Sequence, residues 1–344
     1  MKLLVTGGAG FIGSNFIRHL LAARSDLQVL NLDKLTYAGN LENLDSVAKD
    51  PRYSFVQGDV VDAQQVNAVM ADGFDALVNF AAETHVDRSI EDAAPFVRTN
   101  VMGTQVLLEA ARKTRLPLFV HISTDEVYGT APAQVSFRED AHLEPRSPYA
   151  ASKAAADHLV GAYAVTYGLP VIALRCTNNY GPFQFPEKLI PLMIANARED
   201  KPLPVYGDGL NERDWLYVED YARAIALVLE KGKPGEIYNV SAGSPEPNLK
   251  VVKTILRILG KPESLIKFVQ DRPGHDRRYA LDSGKICKEL GWQPAVTFEE
   301  GIQRTIAWYQ KNDGWLEQAR SGEYRKYYDR HYTRRAETFG TPPQ

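Results

Sequence analysis

The sequence predicts an α/β fold: a doubly wound parallel sheet joined to a smaller, discontinuous α/β domain. Three observations carry this. Short apolar runs alternate with helical stretches through the first half. Gly7, Gly10 and Gly13 stand three apart, with a strand before them and a helix after. A second strand, Val29 to Asp33, ends in an acid 20 residues past Gly13. That spacing gives a glycine triplet its meaning as a dinucleotide turn.

Leu3-Leu4-Val5 is the first strand, and Ser14 to Ala23 has helical character. Tyr53 to Gln57 reads as the third strand, with Asp59-Val60 just after it. Ala76 to Phe80 reads as the fourth, and Ala81 to His85 forms a loop at the same sheet edge. Its small residues let a cofactor lie against the backbone. Pro95 to Lys113 reads as one long helix. Leu118 to Ile122 is a buried strand, and Ser123-Thr124-Asp125-Glu126-Val127-Tyr128-Gly129 follows where it ends. Ser147 to Lys153 opens a helix, with Pro148 suited to its first turn. A strand lies within Gly168 to Leu174, and Arg175 to Asn179 reaches the sheet edge again. Pro182 to Pro191 breaks the alternation. Val218 to Leu229 is helical and Glu236 to Val240 a strand, so the chain returns to the first domain before leaving it once more. Tyr324, Tyr327 and Tyr328 are expected to pack or cap the surface, and Pro342-Pro343 to mark a frayed end.

The 344 residues suit one large or two modest domains. Forty basic and 43 acidic residues give a net charge of -3, so no basic excess points to nucleic acid or an anionic membrane surface. No run of 18 apolar residues spans a membrane, and no targeting segment is seen before the first strand. Cys176 and Cys287 make no disulfide scaffold. They fit a reducing compartment, as would a secreted protein without disulfides, and a cytoplasmic location is the default. Each cysteine reads as a small buried residue rather than a nucleophile. The seven histidines are scattered, and no metal is expected.

Glycine permits the tight turn, close approach of backbone to a pyrophosphate, and close helix packing on the strand. Helix N-terminal amides then face the phosphates. Asp33 would accept hydrogen bonds from an adenosine ribose and repel a 2′-phosphate, which favours NAD over NADP, although Lys34 blunts the argument. Two adjacent acids such as Asp125 and Glu126 are by themselves more often a solvated turn or a cap. Tyr149 and Lys153 shift that balance, because residues four apart on a helix share a face. A free tyrosine, with a pKa of about 10, is a poor base near neutrality. A neighbouring ammonium and a nicotinamide cation favour its phenolate.

The glycine motif with Tyr-x-x-x-Lys resembles the extended short-chain dehydrogenase/reductase superfamily, whose cofactor domain is a Rossmann fold. Ser123 to Gly129 is more specific and resembles the dTDP-glucose 4,6-dehydratases. So do Asp33 to Asn40, Ala82 to Ile90, Asn178 to Pro182, Phe185 to Pro191, Arg213-Asp214-Trp215 and Arg272 to Tyr279. The stretch 241–248 departs from the family in carrying fewer glycines than expected, and Thr84 stands where serine is common.

The resemblance implies a Rossmann domain over residues 1–178, 214–242 and 295–317, and a nucleotide-sugar domain over 179–213, 243–294 and 318–344. It implies an NAD site at Gly7, Gly10, Phe11, Ile12, Gly13, Asp33, Lys34, Leu35, Thr36, Asp59, Val60, Phe80, Ala81, Ala82, Thr99, Tyr149, Lys153 and Asn179. It implies a dTDP-glucose site at Thr84, Thr124, Asn178, Asn179, Lys188, Leu189, Pro204, Tyr206, Arg213, Asn248, Asp271, His275 and Arg278. Lys188, Arg213 and Arg278 would hold the diphosphate, arginine's planar fork suiting phosphate oxygens.

The implied reaction is a redox-neutral dehydration. Tyr149 takes the C4 hydroxyl proton while hydride leaves C4, and Thr124 holds that oxygen. Lys153 holds the ribose and lowers the Tyr149 pKa. Glu126 removes the C5 proton, and Asp125, protonated by a raised pKa, releases the C6 hydroxyl as water. Hydride returns to C6. The product, a 4-keto-6-deoxy sugar, is a rhamnose-type precursor. The family's dimers pair helices corresponding to 95–113 and 149–167. A sugar-nucleotide 4-epimerase shares the glycine turn, tyrosine and lysine but needs no acid pair. Another nucleotide-hexose dehydratase, a nucleotide-sugar decarboxylase and a catalytically silent NAD-binding sensor are further alternatives.

Overall fold

The computed structural model describes residues 1–321; Tyr324, Tyr327, Tyr328 and Pro342-Pro343 lie outside the described residues. In chain order the strands are β1 (Lys2–Thr6), β2 (Gln28–Asp33), β3 (Tyr53–Gln57), β4 (Ala76–Asn79), β5 (Phe119–Thr124), β6 (Val171–Cys176), β7 (Asn178–Tyr180), β8 (Leu203–Tyr206), β9 (Glu212–Tyr217), β10 (Ile237–Val240), β11 (Pro245–Pro247) and β12 (Ile266–Val269). Seven of them form one parallel sheet in the order β10-β6-β5-β4-β1-β2-β3. Order reverses at β1, which pairs with β2 on one side and β4 on the other. That switch point leaves a crevice beyond the carboxyl ends of the strands.

Alternation along the strands builds a core on each face. Leu3 and Val5 of β1 join one cluster with Phe16, Ile17, Tyr221 and Ile225, while Leu4 points to the other with Leu107, Leu108 and Phe119. The helix expected over 95–113 is helical throughout, but not uniformly α. A turn at Ala94–Phe96 leads into a wider, π-type stretch at Val97–Gly103 and then an α-helix at Thr104–Thr114. Within the wide stretch Asn100 is buried. Its side chain accepts from the Glu83 amide at 2.8 Å and donates to the Glu83 carbonyl and Ser152 Oγ. This ties the loop after β4 to the helix that carries Tyr149.

A second core gathers Ile190, Met193, Ile194, Trp215, Val251, Ile255, Ile302, Ile306 and Tyr309. It packs beside a three-stranded sheet, β11-β9-β7, and the parallel pair β12-β8. Two segments sit opposite to the division expected from sequence. Ile286, Leu290 and Trp292, expected in the smaller domain, pack on the core of the large sheet, where Lys285 Nζ donates to the Ile237 carbonyl at 2.7 Å. The helix Phe298–Lys311, expected with the large sheet, packs in the second core through Ile302, Ile306 and Tyr309. Each follows the partner that its apolar stripe meets, which helical periodicity alone does not specify.

Candidate active site

The glycine turn is shaped by contact as well as by conformation. Gly7 has φ +70°, and a Cβ there would come within 2.6 Å of the Ala81 amide. A Cβ on Gly13 would lie 2.5 Å from the Gly7 carbonyl. On Gly10 it would meet nothing nearer than that carbonyl, at 3.3 Å. Packing therefore demands glycine at Gly7 and Gly13, whereas at Gly10, at the mouth of the helix Phe11–Ala23, a Cβ would be tight against one carbonyl but would clash with nothing. The absence of a Cβ there suits the close approach of a pyrophosphate.

Asp33, at the end of β2, accepts from the Ala9 amide at 2.9 Å and the Leu35 amide at 2.8 Å. Burial raises its pKa, and the two amides work against that shift. Lys34 is paired with Asp59 at 2.8 Å, which directs its charge away from Asp33. The expected cofactor residues line this one cleft, with the exception of Leu35. Leu35 has φ +57° and contributes its backbone amide to Asp33. The residues thus fit a dinucleotide.

The residues expected to be catalytic line the same cleft. Ser147 Oγ accepts from the Ala150 amide and caps the helix Pro148–Tyr167, which puts Tyr149 in the first turn and Lys153 one turn on. Lys153 is buried, donates to the Ile122 carbonyl at 2.6 Å, and is pushed down to about 8 by burial, with Asp157 acting in the other direction. Tyr149 was expected to have its pKa lowered by Lys153. In the protein alone the phenol is instead pushed well above its usual range, by burial first and the Glu126 carboxylate second. A hydrogen bond to Thr124 opposes the shift.

Asp125 and Glu126 occupy a single 3-10 turn after β5. Thr124 caps that turn, its Oγ1 accepting from the Glu126 amide at 3.3 Å and donating to Asp125 Oδ1 at 3.1 Å. Asp125 is only 3% exposed, so the acids do not form a solvated turn. Burial, then Glu126, drives the Asp125 pKa well above the normal carboxylate range. Burial also raises Glu126, but Arg272, Arg213 and Lys188 hold its charge. The two acids are therefore unequal, and a proton shared between them rests on Asp125.

A second chamber opens beyond Glu126, and Asn178, Asn179 and Lys188 line both chambers. Leu189, Pro204, Tyr206, Arg213, Asn248 and His275 line the second, while Thr84 and Thr124 line the first. Lys188 donates to the Thr84 carbonyl at 2.7 Å. Arg213 donates to the Asp276 carbonyl at 2.8 Å and lies over the Tyr279 ring. Asp271 is set behind the lining, where its Oδ1 pairs with His275 Nδ1 at 2.6 Å.

Arg278, expected on the diphosphate, is not brought into the chamber. It bonds Glu212 Oε2 at 3.1 Å and the carbonyls of Pro132 and Val135, pinning strand β9 to the 130s loop. The third cation of the chamber is Arg272.

A family model described as GDP-mannose 4,6 dehydratase matches residues 4–305. A dTDP-glucose 4,6-dehydratase of Salmonella typhimurium is 49% identical across 96% of this chain and 99% of its own. The chain belongs to the dTDP-glucose 4,6-dehydratase family. A relative from Neisseria meningitidis serogroup B is 52% identical across 94% of this chain and 97% of its own. Among solved structures, the dTDP-glucose 4,6-dehydratase DesIV of Streptomyces venezuelae, with NAD bound, superposes with a TM-score of 0.91. It is 51% identical and covers 93% of this chain and 100% of that one. A UDP-glucuronic acid 4-epimerase from Bacillus cereus superposes with a TM-score of 0.85 at 32% identity, covering 90% and 99%. The scaffold is thus common to both chemistries, and the side chains around the sugar must separate them.

Among the chamber residues that sequence reasoning passed over are Arg272, Tyr279, Glu187 and Asp87. Arg272 and Tyr279 sit in the quoted 272–279 stretch, and Tyr279 Oη lies 3.3 Å from Glu126 Oε2 and 2.8 Å from Asp276 Oδ2. Glu187, buried, accepts from Tyr37 at 3.0 Å across the cleft mouth. Asp87 reaches in from the loop after β4. Of that arginine-rich run Arg278 was the residue expected in the site, and Arg272 is the one that lines the chamber.

Proposed function

We propose that the protein converts dTDP-glucose to dTDP-4-keto-6-deoxyglucose, a rhamnose-type deoxysugar precursor. The observation that carries this is the unequal acid pair: Asp125 and Glu126 stand beside Tyr149 and Thr124 in one buried site, with Asp125 the more strongly raised. A 4-epimerase has no use for two such acids.

The glycine turn, Asp33 and Lys153 would hold NAD. When bound there, NAD supplies a reversible hydride acceptor and a cationic ring that counters the upward shift of Tyr149. Tyr149 takes the proton of the C4 hydroxyl, and Thr124 holds that oxygen. The C4 ketone acidifies the C5 hydrogen. Glu126 removes it, and Asp125 delivers its proton to the C6 hydroxyl, which leaves as water. Glu126 then returns a proton to C5, and the hydride taken from C4 would return to C6, which leaves the bound NAD oxidised as at the start. Each positioned proton transfer supplies about 10²- to 10⁴-fold. Lys188, Arg213 and Arg272 are the cations available to the diphosphate.

The protein is proposed to work as a cytoplasmic homodimer. Val97, Met102, Val165 and Tyr167 are exposed on the two helical stretches that family dimers pair. No helix among the described residues is long and apolar enough to cross a membrane. The direct test is incubation with dTDP-glucose followed by the alkaline absorbance of a 4-keto sugar. Inversion at C4 without loss of water would overturn the assignment.

A further inference from the structure

Asp87 is a carboxylate that the mechanism above does not use. It lies in the short helix Val86–Glu91, on the loop that leaves β4 of the large sheet, and it is buried. Its Oδ2 accepts from the Tyr206 phenol at 2.7 Å, and its Oδ1 from Arg272 Nη1 at 3.3 Å. Both partners come from the second domain. Tyr206 is the last residue of β8, and Arg272 follows β12, the strand that pairs with β8 in the register Val269↔Tyr206. One carboxylate of the first domain therefore grips the same end of both strands of the small sheet.

All three residues line the second chamber. Arg272 is the cation that faces Glu126 from this side, and Asp87 is the strongest of the charges that hold it protonated. Burying a carboxylate costs several kcal/mol unless its partners are well placed. An apolar residue would seal the domains more cheaply if joining them were the only need. A carboxylate instead fixes the direction of a guanidinium that has further N–H donors, and of a phenol whose single hydrogen it takes.

We infer that Asp87 is a positioning residue for the sugar nucleotide, setting Arg272 for the nucleotide diphosphate and holding the Tyr206 ring against the chamber from across the domain boundary. This rests on the function proposed above. Its contribution is to binding rather than to the proton transfers, which belong to Tyr149, Asp125 and Glu126.

The test uses the NAD-bound protein with the variants Asp87→Ala and Asp87→Asn. Asparagine keeps the shape and one acceptor for Tyr206 but loses the charge on Arg272. Steady-state kinetics with dTDP-glucose would be paired with calorimetric binding of dTDP, and NAD content and melting temperature would be measured alongside. Asp87→Ala should raise KM and the dTDP dissociation constant by about ten-fold or more, with kcat changed by less than about three-fold. Asp87→Asn should fall between Ala and the parent. In a double-mutant cycle, Asp87→Ala and Tyr206→Phe should raise KM by less together than the product of their separate effects. Unchanged KM and dTDP affinity in Asp87→Ala would overturn the inference. So would a loss confined to NAD content and melting temperature, which marks a strut between domains and nothing more. If the parent protein does not turn over dTDP-glucose, the functional assignment fails, and calorimetry with dTDP still decides the role of Asp87.

Discussion

Glu126→Gln separates the two halves of the reaction. Glutamine keeps the shape and a contact for Tyr279 Oη, 3.3 Å away in the parent, but cannot accept the C5 proton. Loss of a positioned base is worth about 10²- to 10⁴-fold, or about 2.7–5.4 kcal/mol on the elimination barrier. The effect on oxidation has the opposite sign. The Glu126 charge is the second cause, after burial, of the upward shifts of both Tyr149 and Asp125. Removing that charge lowers the Tyr149 pKa and so leaves more phenolate at a given pH. Its contribution to C4 oxidation should therefore persist, with the pH limb for that step moving toward acid. The assay is rapid mixing of the NAD-bound variant with dTDP-glucose, following the absorbance of the reduced nicotinamide for oxidation and the alkaline chromophore for product. The expected result is oxidised sugar that accumulates and is slow to lose water. Parallel loss of both signals, or an alkaline shift of the oxidation limb, would refute the assigned roles.

Tyr149→Phe removes the base for the first step, so both signals should fall by about 10²- to 10⁴-fold in the same stopped-flow experiment. Asp125 acts protonated, so elimination should decline as pH rises through its pKa. Because burial and Glu126 raise that pKa, the limb should lie well above the usual aspartate value of about 4 in a pH–rate profile. Gly13→Ala places a Cβ 2.5 Å from the Gly7 carbonyl and should cost about 1–3 kcal/mol in urea unfolding. Gly10→Ala, whose nearest contact is 3.3 Å, should cost less in unfolding than Gly13→Ala and lower the NAD retained through gel filtration. Lys153 is held at about 8, below its ordinary 10.5, so the unfolded chain binds more protons between those values and this group's contribution to stability rises with pH across that window. Lys153→Met should flatten that rise in urea titrations of the NAD-free protein.

Much of the fold was legible because its signals are local. The strands β1 to β5 are apolar runs bounded by turn residues, and their parallel order follows from alternation with helices. The glycine spacing and Asp33 gave the cofactor cleft, since a tight strand-to-helix turn needs those residue types whatever the distant packing. Tyr149 and Lys153 were readable as a pair because a helix fixes their common face.

Other features depend on where separate segments meet. The wide helical stretch at Val97–Gly103 accompanies Asn100 in its contacts with Glu83 and Ser152, which no local pattern announces. The swap of Gly284–Leu290 and Phe298–Lys311 between cores reflects the partner each apolar stripe found.

The sequence by itself determined the parallel α/β scaffold, the dinucleotide turn, and the presence of two acids, a tyrosine and a lysine with the means for oxidation and elimination. Only the tertiary structure decided which acid holds the proton. Asp125 and Glu126 are neighbours of one chemical type, and what distinguishes them is depth of burial and the cations Arg272 and Lys188, brought from distant parts of the chain to act on Glu126 alone, while Arg213 acts on both. Charge acts through space, and sequence order does not record that distance.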